Sequence, residues 1–305
     1  MRFFKRFISI FLLASLLLLS CACNTTDADA TDEATDSQQT EKPTERPTEK
    51  PTEKPTEKET EKESEMNTDK QEMPSWLKIG TYNIANGRNV THNLVLIARD
   101  VKDMQLDIVG LQEVDQFVNR SGKQDTMKIL SEESGLEYYA FFKAINHDGG
   151  EYGIGVLSRY PIVSSETTRL YSGSEEQRVL GHAVIDICGT EINFFVTHMS
   201  YESQALWDRQ LEEIAPILNA HDDFILAGDF NTENFTPILN CVDGAEILNS
   251  KGREHPTFED GTCIDNIIYS SEFWSFDYPR TLPNGNSDHY LLFAKATINR
   301  KKNNK

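Results

Sequence analysis

Six apolar runs in this chain end or begin in a residue able to bind a cation or a phosphate. Ile79-Gly80-Thr81-Tyr82 runs into Asn83, Ile108-Val109-Gly110-Leu111 into Gln112-Glu113, Phe195-Val196-Thr197 into His198, and Ile225-Leu226-Ala227-Gly228 into Asp229-Phe230-Asn231. Asp265 opens one run and Ser287-Asp288-His289 opens the last. A single Asp after a strand is ordinarily a turn residue or a helix cap. Six such placements on separate strands point to a site, because strand ends from packed sheets converge on a rigid rim. Hard cations such as Mg²⁺ need oxygen ligands and keep several waters, so one or two carboxylates with an amide suffice. Glu113 with Asn83 and Asp288 answers that description. Asp229 and Asn231 are two apart and would face one side of a continuing strand, which suits a pair flanking one phosphate.

The elements that must position these residues follow from the hydrophobic pattern. Strands are expected at Leu77–Asn83, Asp107–Gln112, Tyr138–Phe142, Ile154–Ser158, Ile162–Arg169, Arg178–Ile187, Glu191–Thr197, Phe224–Gly228, Ile264–Tyr269 and Tyr290–Ala296. Helices are expected at Asn93–Met104, Asp125–Ser134 and Ser203–Asn219, the last with Leu206, Ile214, Ile217 and Leu218 on an apolar face. Polar turns as short as Cys188-Gly189-Thr190 require antiparallel hairpins. The class is therefore α/β or α+β with mixed sheets, which argues against a purely parallel dinucleotide-binding fold.

Composition separates this region from what precedes it. The 305 residues carry a formal net charge of −19, and residues 73–305 hold 33 acidic against 20 basic residues together with every Trp and Tyr. That balance argues against a protein that coats polyanions by bulk attraction, because phosphate contacts need Lys and Arg. It leaves phosphate chemistry open, since carboxylates that hold a divalent cation also make a chain acidic. At the N-terminus, Arg2, Lys5 and Arg6 precede the apolar run Ile8–Leu19. The run is shorter than the roughly 20 residues a membrane span needs, so residues 1–20 read as a secretion signal. From residue 21 to 74 the chain is rich in Pro, Thr, Glu and Lys, with Pro-Thr-Glu-Lys recurring at Pro47, Pro51 and Pro55. Such a segment cannot bury a core; it reads as a disordered linker, either a stalk or a plain spacer. About 50 residues at roughly 3.1 Å each would reach on the order of 150 Å. The domain is assigned to 75–300, and the basic residues 301–305 read as a solvated tail.

Taken together, Thr81-Tyr82-Asn83, Leu111-Gln112-Glu113, Gly155-Val156-Leu157-Ser158-Arg159-Tyr160-Pro161-Ile162, Thr197-His198, Gly228-Asp229-Phe230-Asn231, Ile264-Asp265 and Ser287-Asp288-His289 resemble the exonuclease-endonuclease-phosphatase superfamily in the superfamily's own order. That group includes pancreatic deoxyribonuclease, abasic-site endonucleases, sphingomyelinases and inositol polyphosphate phosphatases. The resemblance covers Leu77 to about Ile298. It implies a four-layer sandwich, two mixed β-sheets face to face with helices outside, and hydrolysis of a phosphodiester or phosphomonoester that depends on Mg²⁺ or Mn²⁺. By the same resemblance His289 is the general base and Asp265 orients it. Glu113 is the principal metal ligand, Asn83 and Asp288 complete the metal surroundings, Asp229 positions the nucleophile and Asn231 donates to a phosphate oxygen. His198 takes the slot of a phosphate-binding or proton-donating residue. Glu151 is its carboxylate partner at a spacing one residue off the pattern, and Arg178 is either a phosphate contact or a surface ion-pair residue. The run Leu18-Leu19-Ser20-Cys21 resembles a bacterial lipobox, with Cys21 fitting better than Cys23 because Leu18 stands three residues before it; ordinary signal-peptide cleavage is the alternative. A lipidated Cys21 would make the protein an extracytoplasmic, membrane-anchored monomer. The secreted deoxyribonuclease branch has a disulfide between similar regions, so Cys241 and Cys263 either form one or stand as two buried thiols. The motifs are shared by enzymes acting on nucleic acid, phospholipid head groups and inositol phosphates, so an endonuclease is the alternative reading. A surface binding protein that has lost catalysis is the alternative of another class. It predicts a broken metal or base position, and none is broken. Residues 119–125 and the Gly149-Gly150 turn are the expected substrate contacts.

Overall fold

The computed structural model describes residues 72–250 and 254–299; the signal, lipobox, the linker up to residue 71 and the basic tail lie outside them. One six-stranded sheet is built from β1 (Leu77–Asn83), β2 (Ile108–Gln116), β3 (Tyr138–His147), β4 (Gly150–Ser158), β11 (Trp274–Leu282) and β12 (Leu291–Ile298), in the order β11-β12-β1-β2-β4-β3. The other takes β5 (Ile162–Arg169), β6 (Val179–Ile187), β7 (Thr190–His198), β8 (Ile225–Asp229), β9 (Ala245–Ile247) and β10 (Asp265–Ser270), in the order β5-β6-β7-β8-β10-β9. Each sheet has one parallel pair, β1 with β2 and β7 with β8. Parallel neighbours need a crossover. Here the crossovers are α1 (Leu94–Asp103) and α3 (Gln204–Leu218), while α2 (Thr126–Ser134) and α4 (Thr236–Cys241) complete the helices.

Central strands buried on both faces explain the unbroken apolar runs. Ile79, Ile108 and Val156 meet Val196, Ile225, Ala227 and Ile267 between the sheets. The opposite faces present Val109, Leu111 and Leu157 to Ile97 and Val101 of α1 and Leu130 of α2, and Phe195, Leu226 and Ile268 to Trp207, Leu211 and Ile214 of α3. The result is helix, sheet, sheet, helix. Gly110 sets the closeness of the two sheets: a Cβ there would stand 2.9 Å from Ala227 Cβ and 3.1 Å from Val196 Cγ2.

All ten expected strands form, but β2, β3 and β4 extend further towards the site than the apolar runs do. Two strands and one helix had no legible signal. β9 is three residues long, and β11 carries Pro279 and a register shift between Asp277 and Arg280, as an edge strand tolerates. α4 is a six-residue turn opened by Thr236-Pro237. Strand register then gathers the polar residues. β10 runs antiparallel to β8 with Asp265 opposite Asp229, β7 runs parallel to β8 with His198 opposite Asp229, and β1 places Asn83 opposite Gln112. Every functional strand end therefore falls on one rim. Of the two alternatives for Cys241 and Cys263 the disulfide does not form, and only one thiol is buried: the Cys241 thiol is exposed on α4 and donates to Pro237 O at 3.1 Å, whereas Cys263 is buried and its thiol donates to His255 O at 3.4 Å. The two sulfurs point at different carbonyls on different segments.

Candidate active site

Glu113 reaches the rim through a bulge. The β2–β4 register shifts between Leu111 and Val114, and Glu113 itself sits at φ 57, a backbone conformation unfavourable for a residue with a Cβ. The kink interrupts the alternation of β2 and brings Glu113 Oε1 to 3.2 Å from Asn83 Nδ2. The same amide nitrogen donates to Asp229 Oδ2 at 2.9 Å, while Asn83 Oδ1 accepts from Ala85 N at 3.0 Å. One fully buried amide thus ties a carboxylate of the first sheet to a carboxylate of the second.

Asp229 is the meeting point of two histidines. His289 Nε2 lies 3.7 Å and His198 Nε2 3.6 Å from Asp229 Oδ2. His289 Nδ1 is 2.8 Å from Asp265 Oδ2, and the ring is held edge-on by Phe258 at 4.7 Å. Asp265 Oδ1 is buried with no hydrogen-bond partner. Burial opposes a charge on His289, but Asp265, Asp229 and Asp288 outweigh it and push its pKa up to about 10. Burial, reinforced by Asp265, pushes the Asp229 carboxyl up to about 7 against the pull of His289, Asn83 and Asn231. His198 moves the other way: burial, Arg178 and His289 hold it well below the ordinary histidine range. Arg178 Nη1 lies 3.0 Å from His198 Nδ1, and a guanidinium can only donate. Nδ1 must therefore carry the lone pair, which leaves a neutral ring with its N–H on Nε2, aimed at the cleft.

Asn231 joins Asp229 by a turn rather than along a strand. β8 stops at Asp229, Asn231 adopts φ 51, and its N–H donates to Asp229 Oδ1 at 3.0 Å. Its side-chain amide donates to Met199 O at 2.8 Å, and Trp207 of α3 braces the turn by donating to Phe230 O at 2.8 Å. Asp288 lies beside Ser287, whose hydroxyl donates to Asn83 O at 2.8 Å and so joins the last loop to β1.

Glu113, His198, Asp229, Asn231 and His289 line a cleft of about 290 Å³, with Asn83 and Asp265 bonded to them from behind. Arg178 belongs to it as a buried residue, ion-paired with Glu176 at 2.9 Å and facing Glu202 at 3.7 Å, with its Nε unpartnered. The surface alternative for Arg178 is thereby excluded. Glu151 does not join the cluster; it is half exposed and paired with Lys143 at 2.6 Å, because β4 runs on through it and turns its side chain outward. Glu176 and Glu202 stand beside Arg178 instead. Arg88, Tyr152 and His147 also line the cleft and escaped the sequence reading. The only local signals were Asn86-Gly87-Arg88 directly after β1 and a Glu two residues before Arg178. Of the expected substrate contacts, Arg120 faces the cleft, whereas Gly150 packs beneath its loop: a Cβ on Gly150 would stand 2.4 Å from Gln116 O.

Two groupings could be considered for a metal. Asp229, Asp265 and His289 offer ligand atoms within 4.8 Å of one another, but they are already engaged with each other and with Asn83. Glu113 and Asp288 already share a cation, since Arg88 Nη2 is 2.5 Å from Asp288 Oδ2 and Arg88 Nη1 is 3.6 Å from Glu113 Oε2. Two carboxylates already gathered around one positive charge are what a hard divalent ion asks for, so Glu113 and Asp288 fit one; Asn83 touches Glu113 through its nitrogen, its oxygen being taken by Ala85 N.

The sequence profile of the Endonuclease/Exonuclease/phosphatase family matches residues 80–289, from β1 to His289. This chain belongs to that family. Among solved structures, an endonuclease/exonuclease/phosphatase from Beutenbergia cavernae superposes with a TM-score of 0.62 at 19% identity, over 74% of this chain and 72% of that one. The mannosyl-6-phosphatase Bt3783 of Bacteroides thetaiotaomicron gives a TM-score of 0.53 at 17% identity, over 73% of this chain and 99% of that one. In sequence, Protein cwh43 of Schizosaccharomyces pombe is 36% identical over 121 residues, which is 39% of this chain but 12% of that protein. The family assignment accounts for the two-sheet sandwich. The motifs that carried the resemblance lie on the rim of this family member or in the strands that lead to it, except Arg159-Tyr160-Pro161, which turns at the opposite end of the sheet, where Arg159 Nε donates to Asp107 Oδ1 at 2.7 Å.

Proposed function

We propose that this domain is a divalent-metal-dependent phosphoesterase, held outside the cell by a lipid on Cys21, that cleaves the phosphate ester of a compact head group or small molecule. The observation that carries the reading is the hydrogen-bonded chain Glu113–Asn83–Asp229 leading to His289–Asp265, which crosses from one sheet to the other in a single cleft. Asp265 fixes the tautomer of His289 by accepting from Nδ1, so Nε2 faces Asp229 and the attacking water. Asp229 aligns that water. His198, neutral with its N–H on Nε2, and the buried Arg178 donate to phosphate oxygens as charge develops. Glu113, Asp288 and Asn83 would hold Mg²⁺ or Mn²⁺, which neutralises phosphate charge and offsets the carboxylates that otherwise keep His289 protonated.

A cleft of about 290 Å³ in a domain with 33 acidic and 17 basic residues suits a small ester better than a duplex. The test is a panel of DNA, RNA, phospholipids, inositol phosphates and an aryl phosphodiester, assayed with Mg²⁺ or Mn²⁺ and after EDTA. Hydrolysis of at least one small ester that EDTA abolishes and Mg²⁺ restores is expected, together with loss of Mn²⁺ binding in Glu113→Gln by calorimetry. Turnover that survives chelation would refute the metal role.

A further inference from the structure

Besides His198 and His289, the cleft is lined by a group gathered on Tyr152, with Arg120 and His147 both beside its ring, and by Tyr201. Arg120 is not a loose surface side chain. Its Nε and Nη2 donate to the two oxygens of Asp115 at 2.8 and 2.7 Å, and Asp115 is only 1% exposed. Its guanidinium carbon lies 5.5 Å from the centre of the Tyr152 ring. The loop beneath it is equally fixed. Arg120 N donates to Asp148 Oδ2 at 3.1 Å, Asn119 N to Asp148 O at 3.0 Å, and Phe117 N to Gln124 O at 2.9 Å.

A fork held from behind by a buried carboxylate keeps its plane, and its outer edge stays available. Among the described residues, Arg120 Nη1 has no hydrogen-bond partner, whereas the Nη1 of Arg88 and of Arg178 each face a carboxylate. A preorganised guanidinium edge binds an oxyanion with little loss of rotamer freedom, and it does so with a geometry an ammonium cannot copy. A mere loop staple would not need to open onto the cavity where the chemistry lies.

We propose that Arg120 anchors a second anionic group of the substrate, so that the cleft favours phosphate esters bearing a further phosphate or carboxylate beside the reacting one. This rests on the phosphoesterase reading. With the reacting phosphate at Arg178, His198 and His289, the cavity leaves room for a short linking group, and Tyr152 and Tyr201 give it flat walls. Glu176, on the same lining, is paired with Arg178 at 2.9 Å, so its charge is met by a guanidinium rather than left facing the second anion.

The experiment uses the full-length protein with Mg²⁺ and a chromogenic aryl phosphodiester as reporter, or whichever ester of the panel is turned over. 3-Hydroxypropyl phosphate, 1,3-propanediol bisphosphate and 3-carboxypropyl phosphate are added as competitors. The wild type should bind a competitor bearing a second anionic group at least about tenfold more tightly than the hydroxyl compound, the size of one charge-assisted bond. The bisphosphate and carboxylate arms show which anion Arg120 takes. Arg120→Gln should bring the ratio to within about twofold of unity and Arg120→Lys should restore only part of it, because a point charge lacks the fork. A ratio that persists in Arg120→Gln, or that is absent from an active wild type, overturns this inference alone. A wild type inactive on every ester overturns the phosphoesterase reading with it. Melting curves separate unfolded variants from informative ones, and Asp115→Asn, which frees the guanidinium without removing it, should lower the ratio to an intermediate value.

Discussion

If Asp265 and His289 act as one unit, removing both should cost little more than removing His289. Asp265 Oδ2 accepts from His289 Nδ1 at 2.8 Å with both groups buried, so the bond strengthens as the imidazolium forms. A charge-assisted bond of this kind contributes about 1.5–3 kcal/mol, so Asp265→Asn should lower kcat by roughly tenfold to 150-fold. His289→Ala removes the proton acceptor and should lower kcat by about 10²–10⁴. With the base absent Asp265 has nothing to orient, and the double variant should fall within about threefold of His289→Ala alone. Independent residues would instead multiply, to losses approaching about 10⁶. The assay is the initial rate at saturating Mg²⁺ on the best ester of the panel, with melting temperatures for each variant. A double variant that falls by the product of the single losses would refute the unit. An active His289→Ala would remove His289 from the mechanism and leave His198 to be tested as the base.

Gly110→Ala should destabilise the domain by about 1–3 kcal/mol in urea denaturation, because its Cβ enters the inter-sheet core 2.9 Å from Ala227; an unchanged midpoint would show that the sheets can part freely. His198 is held neutral in the fold and titrates normally once unfolded, so the unfolded chain binds more protons below about pH 6.5 and stability is lost as pH falls through that range. The slope it adds is at most about 1.4 kcal/mol per pH unit, and His198→Asn should flatten the stability curve between about pH 6.5 and 5 by up to that amount. Labelled fatty acid should enter the wild type and not the Cys21→Ala, Cys23→Ala double variant; wild type found wholly in the medium would count against the anchor.

The sequence by itself determined the layers and the rim. Apolar runs without alternation record strands buried on both faces, and a polar residue at the end of each such run records where burial stops. From Asn83, Glu113, His198, Asp229, Asp265 and His289 the site was legible, because each motif is local and its order along the chain is the order in which strands reach one edge. What only the tertiary structure decided is which side chains meet across the sheets and which way each one turns. Asn83 bonds Asp229 across 146 positions, and no local pattern encodes that distance. The bulge at Glu113 and the turn at Asn231 both depend on φ values near +50° that residue type does not announce. Arg88 and Glu176 look like ordinary charged loop residues until packing brings them to the cleft, and Glu151 looked like a site residue until β4 continued through it. Hydrophobic periodicity reports how deeply a residue is buried; the partner of a charged side chain is set by the packing of segments remote in sequence.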